Sequence, residues 1–304
     1  MKKALAILVC LVAFASLNSF SAGTNHLTLS ALRGIEVPDV NITSVKHVTS
    51  EGKKELEGAS YVAVEGTIGE HIRFELLLPD AWNGRFAMGG GGGFVGSVQN
   101  GARYSVYRGF ATVGTDTGHS GNGISASWAL DNLEAKVNFG YLAVHRTAEV
   151  AKAIIRAYYG KDPEHSYFLG CSRGGGQAMM EAQRYPKDFE GIVAGAPAFS
   201  WTGFAAVAVR IAQALYPDPS HLEQNVITRD TLKKLAGAVL EQCDAKDGVK
   251  DGIIEDPPSA RFDLSKAQGF TDDEKHAIEA IYSGASGPKG KIYPGFAPAA
   301  ECEP

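Results

Sequence analysis

The stretch Ser166 to Gln177 constrains this chain more than any other. Tyr167-Phe168-Leu169 has strand character, and Gly170-Cys171-Ser172-Arg173-Gly174 forces a sharp turn. Ala178, Met179, Met180, Ala182 and Tyr185 then continue as a helix. Glycines at 170 and 174 let the backbone pass close to itself, so the serine between them sits on a strained turn with its hydroxyl clear of the sheet. A serine hydroxyl is a poor nucleophile until a base takes its proton. The turn supplies a second ingredient, because the Arg173 N–H and the helix N-terminus face an oxygen that becomes negative in acyl transfer. A buried small serine in a glycine-rich turn would show the same five residues. The strand–turn–helix context is what favours Ser172 as a nucleophile.

Around this turn, short apolar runs alternate with helical patterns. Residues 61–68 and 72–79 read as a hairpin joined at Gly69-Glu70. Residues 85–88 start another strand that runs into five glycines at 89–93, and 110–114 form a further short strand. A long helix is predicted from about Glu134 to Tyr159 with Gly160 as its stop, and a second from 173 to 185, ahead of Pro186. Residues 191–197 read as the following strand. Such alternation implies the α/β class, with a mainly parallel sheet covered on both faces. From about Phe199 the pattern changes to helical segments near 201–215, 228–242 and 272–282, with no strand clear enough to continue the sheet. That reads as an inserted, largely helical cap.

The 304 residues suffice for one large domain, or for a core with an inserted subdomain. A net charge of −5 without any basic run argues against nucleic acid or an anionic membrane as partner. Lys2 and Lys3 precede an apolar stretch, Ala4 to Leu17, that is too short to span a bilayer, and Ser19-Phe20-Ser21 is a small-x-small cleavage site. Residues 1–21 are therefore expected to be a signal peptide, with a soluble, secreted or periplasmic chain starting at Ala22. Val9 before Cys10 argues against lipoprotein processing. Export leaves Cys171, Cys243 and Cys302 in an oxidising compartment that favours disulfides, and an odd count leaves at least one thiol unpaired.

Three further features bear on chemistry. The glycines at 89–93 fit a flexible loop. They also fit an oxyanion loop lending a backbone N–H to the acyl oxygen, with Gly91 or Gly92 as donor. A phosphate cradle fits poorly, since neither a Gly-Lys-Ser/Thr ending nor a helix start follows. A hydrolase with this turn orders its residues Ser, then Asp or Glu, then His. Only His221 and His276 lie downstream of Ser172, and both read as surface residues, while His119 and His145 fall in the wrong order. Lastly, residues 243–256 place several carboxylates in a glycine-punctuated loop, either a solvated acidic turn or a Ca²⁺ site, with spacing unlike an EF-hand.

Taken together, Trp82-Asn83-Gly84-Arg85-Phe86, Thr115-Asp116-Thr117-Gly118-His119, Phe139-Gly140-Tyr141, Gly170-Cys171-Ser172, Glu181-Ala182-Gln183-Arg184-Tyr185-Pro186 and Gly195-Ala196-Pro197-Ala198 resemble the tannase and feruloyl esterase family of α/β-hydrolases. That family also contains the enzyme hydrolysing mono(hydroxyethyl) terephthalate. The resemblance implies a serine esterase acting on small esters of aromatic acids, with Ser172 as nucleophile and the Arg173 N–H as one oxyanion donor. It implies a catalytic domain over 22–198 and a lid starting at 199, within which the chain is expected to stop. The acidic loop matches the family's structural calcium site, which assigns the side chains of Asp244, Asp247 and Asp251 and the carbonyls of Val249 and Ile253. The family's catalytic Asp and a His followed by Cys are expected beyond residue 304, and that cysteine would be the disulfide partner of Cys171. The family's partner for Cys243 falls where this sequence has Pro258-Ser259-Ala260, which leaves Cys302 as an unsupported substitute. The rival reading is a catalytically incomplete fragment or a binding protein.

Overall fold

The computed structural model describes residues 26–49, 58–299 and 301. The expected signal peptide, Cys10 and Cys302 lie outside them. The chain forms two compact units, one ending at Pro197 and one beginning at Ala198.

The first unit opens with a short helix α1 (Leu29–Arg33), whose N-terminus is capped by the Thr28 hydroxyl. Four strands follow: β1 (Val40–Thr49), β2 (Ser60–Ile68), β3 (Ile72–Pro79) and β4 (Arg85–Gly89). Then come β5 (Ala111–Thr115), α2 (Leu133–Val137), α3 (Ala143–Tyr159), β6 (His165–Cys171), α4 (Arg173–Arg184) and β7 (Gly191–Gly195). The strands make one seven-stranded sheet in the order β1-β2-β3-β5-β4-β6-β7. The predicted hairpin is present, with Ile68 opposite Ile72.

The sheet is not mainly parallel. β1–β2, β2–β3 and β3–β5 pair antiparallel, whereas β5–β4, β4–β6 and β6–β7 pair parallel. The cause is local. A three-residue connection from β2 to β3 can only make a hairpin, and parallel neighbours need the longer crossovers found after β5 and β6. β1, unread in the sequence, is an edge strand with polar Asn41, Thr43, Ser44, Lys46 and His47 among its residues.

The core lies between the sheet and α3. Val64, Leu76, Phe86, Met88, Val113 and Phe168 pack with Val144, Ala148, Ala151, Ile154 and Ile155 of that helix. Each fully buried side chain of this size contributes about 1.5–3 kcal/mol. The helix predicted from about Glu134 is present but interrupted: a π turn, Asn138–Leu142, joins α2 to α3. Gly160 ends α3 in the left-handed region, φ 74°, as its position suggests.

The second unit contains α5 (Trp201–Leu215), α6 (Arg229–Cys243), α7 (Asp272–Ser283) and a two-stranded hairpin, β8 (Ala285–Gly287) with β9 (Gly290–Tyr293). Leu235, Val239, Phe270, Ala277 and Ile278 form its core. Capping boxes start α6 at Thr228 and α7 at Thr271. The Thr231 hydroxyl donates to Glu274 Oε1 at 2.6 Å, which ties the two starts together. Among the described residues no helix is long and apolar enough to cross a membrane.

Candidate active site

β6 delivers the chain to Ser172 and α4 takes it away. Ser172 adopts φ 58°, ψ −119°, a conformation that costs a non-glycine residue about 1–3 kcal/mol. The surroundings hold it there. Its N–H donates to the Gly195 carbonyl at 3.0 Å, and the Gly176 N–H donates to the Ser172 carbonyl at 3.1 Å. Gly170 is required, since a Cβ there would lie 2.0 Å from the Gly174 carbonyl oxygen. The serine side chain stays exposed, while Arg173 and the glycines behind it are buried. The first-turn N–H groups of α4, Arg173 among them, lack a carbonyl one turn back and make the helix start favourable to negative charge.

The glycine run leaves β4 and lies directly against this turn. A Cβ on Gly90 would sit 2.7 Å from the Gly174 Cα, so the two backbones touch. The Gly90 N–H donates to the Leu169 carbonyl at 2.9 Å. The next two amides are already engaged. Gly91 N–H donates to Gln177 Oε1 at 3.1 Å, and Gly92 N–H donates to Gln99 Oε1 at 2.8 Å. Gly91 therefore stands beside the Ser172 turn, and both residues named as oxyanion donors have their N–H groups on glutamine side chains.

Two buried charges brace the site. Arg173 sends its guanidinium back to the π turn, donating to the Phe139 carbonyl at 2.5 Å and lying 4.2 Å over the Phe139 ring. Burial pushes that guanidinium down to about 10. The carbonyl that receives it lies within the π turn, an element frequent at functional sites. Asp116, fully buried at the end of β5, accepts from the Arg73 Nε at 2.6 Å and from the Gly118 N–H at 2.8 Å. His119 then donates Nε2–H to the Phe94 carbonyl at 2.9 Å and stacks on Trp128 at 3.7 Å. The Asp116–His119 segment thus anchors the far end of the glycine loop.

Comparison with known proteins decides the family. The family described as tannase and feruloyl esterase matches residues 59–303. The chain belongs to the tannase and feruloyl esterase family. It is 34% identical over 254 residues to a probable feruloyl esterase B-1 of Aspergillus fumigatus, covering 79% of this chain and 47% of that protein. It is 34% identical over 259 residues to an uncharacterized esterase of Xanthomonas campestris, covering 81% and 44%. The crystal structure of feruloyl esterase B from Aspergillus oryzae superposes with a TM-score of 0.76 at 29% identity, covering 90% of this chain and 60% of that one. This chain spans about half the length of the curated relatives it matches.

The tannase-family turn has no histidine on it here. Among the described residues none hydrogen-bonds the Ser172 hydroxyl. His145 Nδ1 pairs with Asp188 at 2.6 Å. His221 Nδ1 meets Glu223 at 2.9 Å in an exposed turn, and His276 lies exposed on α7.

The acidic loop is present as a run of turns. Asp247 Oδ1 accepts from the Val249 N–H and Asp251 Oδ1 from the Ile253 N–H, each at 3.0 Å. Buried Asp244 accepts from the Gly252 N–H at 3.0 Å. As the loop stands, no group of three or more acidic, histidine or cysteine side chains among the described residues converges for a metal. The donor chemistry nevertheless suits Ca²⁺: every carboxylate oxygen holding one N–H keeps a second lone pair, and among the described residues no hydrogen bond reaches the Oδ2 atoms of Asp244 and Asp251. Cys171 is exposed, Cys243 buried, and both thiols are free.

Sequence reading missed the roles of Gln177, Gln99 and the Arg173 side chain, and named Asp116 only within a family motif. Asp116 alone carried a signal, as a carboxylate between two threonines at a strand end, which suits backbone capping.

Proposed function

We propose that this chain carries the nucleophilic half of an exported serine esterase for aromatic acids such as ferulate or gallate. The observation that supports it best is the backbone of Ser172, held at φ 58° between β6 and α4 with its hydroxyl exposed. As the Ser172 Oγ attacks the ester carbonyl, its proton passes by way of a base to the departing alcohol, leaving an acyl-enzyme from which water then releases the acid. The first-turn N–H of Arg173 stabilises the oxyanion. Gly91 or Gly92 adds a second donor once its glutamine releases the amide. Ca²⁺ held by Asp244, Asp247 and Asp251 with the carbonyls of Val249 and Ile253 braces the second unit and takes no part in bond making.

The test is Ser172→Ala in the full-length protein, assayed on aromatic methyl esters. Turnover is expected to drop by at least about 10⁴-fold while the unfolding midpoint stays put. Retained turnover would move the nucleophile elsewhere. A parent protein inert on every aromatic ester would favour the binding-protein reading.

A further inference from the structure

Phe139 sits half-buried in the π turn, where two parts of the site meet. One is the start of α4. The Arg173 guanidinium donates to the Phe139 carbonyl at 2.5 Å and lies 4.2 Å over the Phe139 ring. A planar cation gripped by the carbonyl and the ring of one residue is fixed in direction as well as in place. Arg173 is also the first residue of α4, so the same grip sets where its backbone N–H stands.

The other part is the glycine run. Phe94, which follows the fifth glycine, has its ring 6.3 Å from that of Phe139. The Phe94 carbonyl accepts from His119 Nε2–H at 2.9 Å, and the His119 ring meets Phe139 edge-on at 5.9 Å. Trp128 stacks on His119 at 3.7 Å and reaches the Phe139 ring at 5.0 Å. Tilted and edge-on rings at such separations attract one another. The backbones meet here too. A Cβ on Gly118 would lie 2.7 Å from the Asn138 Cβ, so the π turn abuts the segment that carries His119.

We propose that Phe139 is a positioning residue that sets the spacing between the two halves of the oxyanion site, the Arg173 N–H and the glycine run. This rests on the esterase reading of the Ser172 turn.

Two donors stabilise one oxyanion only if both come within hydrogen-bond reach of the same oxygen. Misplacing such a group by about 1 Å can cost about 10²-fold in rate. Here the two halves leave different strands, the glycine run from β4 and the Ser172 turn from β6. The pairing of those strands holds them at their roots. The Phe139 cluster joins them a second time, beyond the strand ends. The Phe139-Gly140-Tyr141 segment, recognised in the sequence only as a family pattern, thereby gains a physical role.

The test is Phe139→Leu in the full-length protein, assayed on an aromatic methyl ester beside the parent and Ser172→Ala. A parent without turnover, or turnover that Ser172→Ala leaves intact, would sink the esterase reading and this proposal with it. Where Ser172→Ala abolishes turnover, Phe139→Leu should lower kcat by about 10²-fold with KM unchanged, because the loss falls on the transition state alone. A raised KM with unchanged kcat would make Phe139 a substrate contact. A lowered melting temperature with full turnover per folded molecule would make it a structural brace. Either result overturns the proposal. Phe139→Tyr keeps the ring and should retain most of the parent kcat. Arg173→Lys keeps the charge and the N–H but loses the planar fork, and it decides the matter should Phe139→Leu fail to fold. It should show the same fall in kcat, and the double variant should lose little more than either single one. An Arg173→Lys protein with the parent's kcat, or losses that multiply in the double variant, overturns the proposal equally.

Discussion

The glycine run after β4 and the acidic loop after α6 are both glycine-punctuated turns, and they are held in opposite ways. The glycine run is fastened by distant parts of the chain: Gln177, 86 positions away, the Leu169 carbonyl, and the Gly123 carbonyl that receives the Phe94 N–H. The acidic loop is fastened to itself, since the amides on Asp244, Asp247 and Asp251 come from two or eight residues along. The first loop takes its shape from the sheet and α4, and keeps it without a ligand. The second gathers negative charge that its own amides satisfy only in part, so its shape depends on what neutralises it.

The largest effect should come from a methyl group in the turn that the glycine run packs against, set beside one in the acidic loop. Gly170→Ala puts a Cβ 2.0 Å from the Gly174 carbonyl, on a strand paired through Gly170 with Ala194 of β7. Neither backbone can yield without breaking that pairing, so a loss of about 3 kcal/mol or more is expected in urea unfolding, together with ester turnover in the full-length protein. Gly248→Ala meets no atom within 4 Å and faces only the dihedral strain of φ 101°. It should cost about 1–2 kcal/mol. Equal losses at the two positions would remove the distinction between an externally and an internally held loop.

A smaller effect isolates the glutamine that fastens the glycine run. Gln177→Leu removes the acceptor of the Gly91 N–H inside a buried site, and an unmet buried donor costs about 1–3 kcal/mol. Gln99→Leu frees the Gly92 N–H where the glutamine is only half-buried, so water can replace it and the loss should be less. Denaturant midpoints of both variants check the order. A reversed order would mean that Gln99, not Gln177, is the main fastening.

What was legible in the sequence divides along the same line. The Ser172 turn is local: strand, five residues and helix are contiguous, so periodicity and glycine spacing suffice to find it. The β2–β3 hairpin and the helices of the second unit are local for the same reason. Gln177 was invisible as a partner of Gly91 because nothing at position 177 encodes a contact 86 residues back. The β1–β2 pairing escaped because β1 is a polar edge strand without clean alternation. The π turn at Asn138–Leu142 went unread because nothing in a continuous helical run, neither a proline nor a cap, marks where one turn widens. Glu181 reads as an ordinary helix glutamate, and only the fold buries it.

The smallest expected effect belongs to the acidic loop and depends on a cation. If, as proposed, the loop binds Ca²⁺ through Asp244, Asp247 and Asp251, the ion has no comparable site in the unfolded chain. It therefore stabilises by mass action, about 1.4 kcal/mol when the free ion is tenfold above its dissociation constant. The melting transition of the second unit should rise with Ca²⁺ and fall with chelator. Asp247→Ala should largely erase that difference, because Asp247 accepts from both the Val249 and the Glu255 amides and spans the loop. Asp273→Ala on α7, outside the loop, should leave it intact. The glycine run supplies the contrast, since its fastenings involve no charge and the transition of the first unit should ignore the ion. Calorimetry that detects no Ca²⁺ binding, with melting unmoved by chelator, would make the loop a solvated turn closed by its own amides.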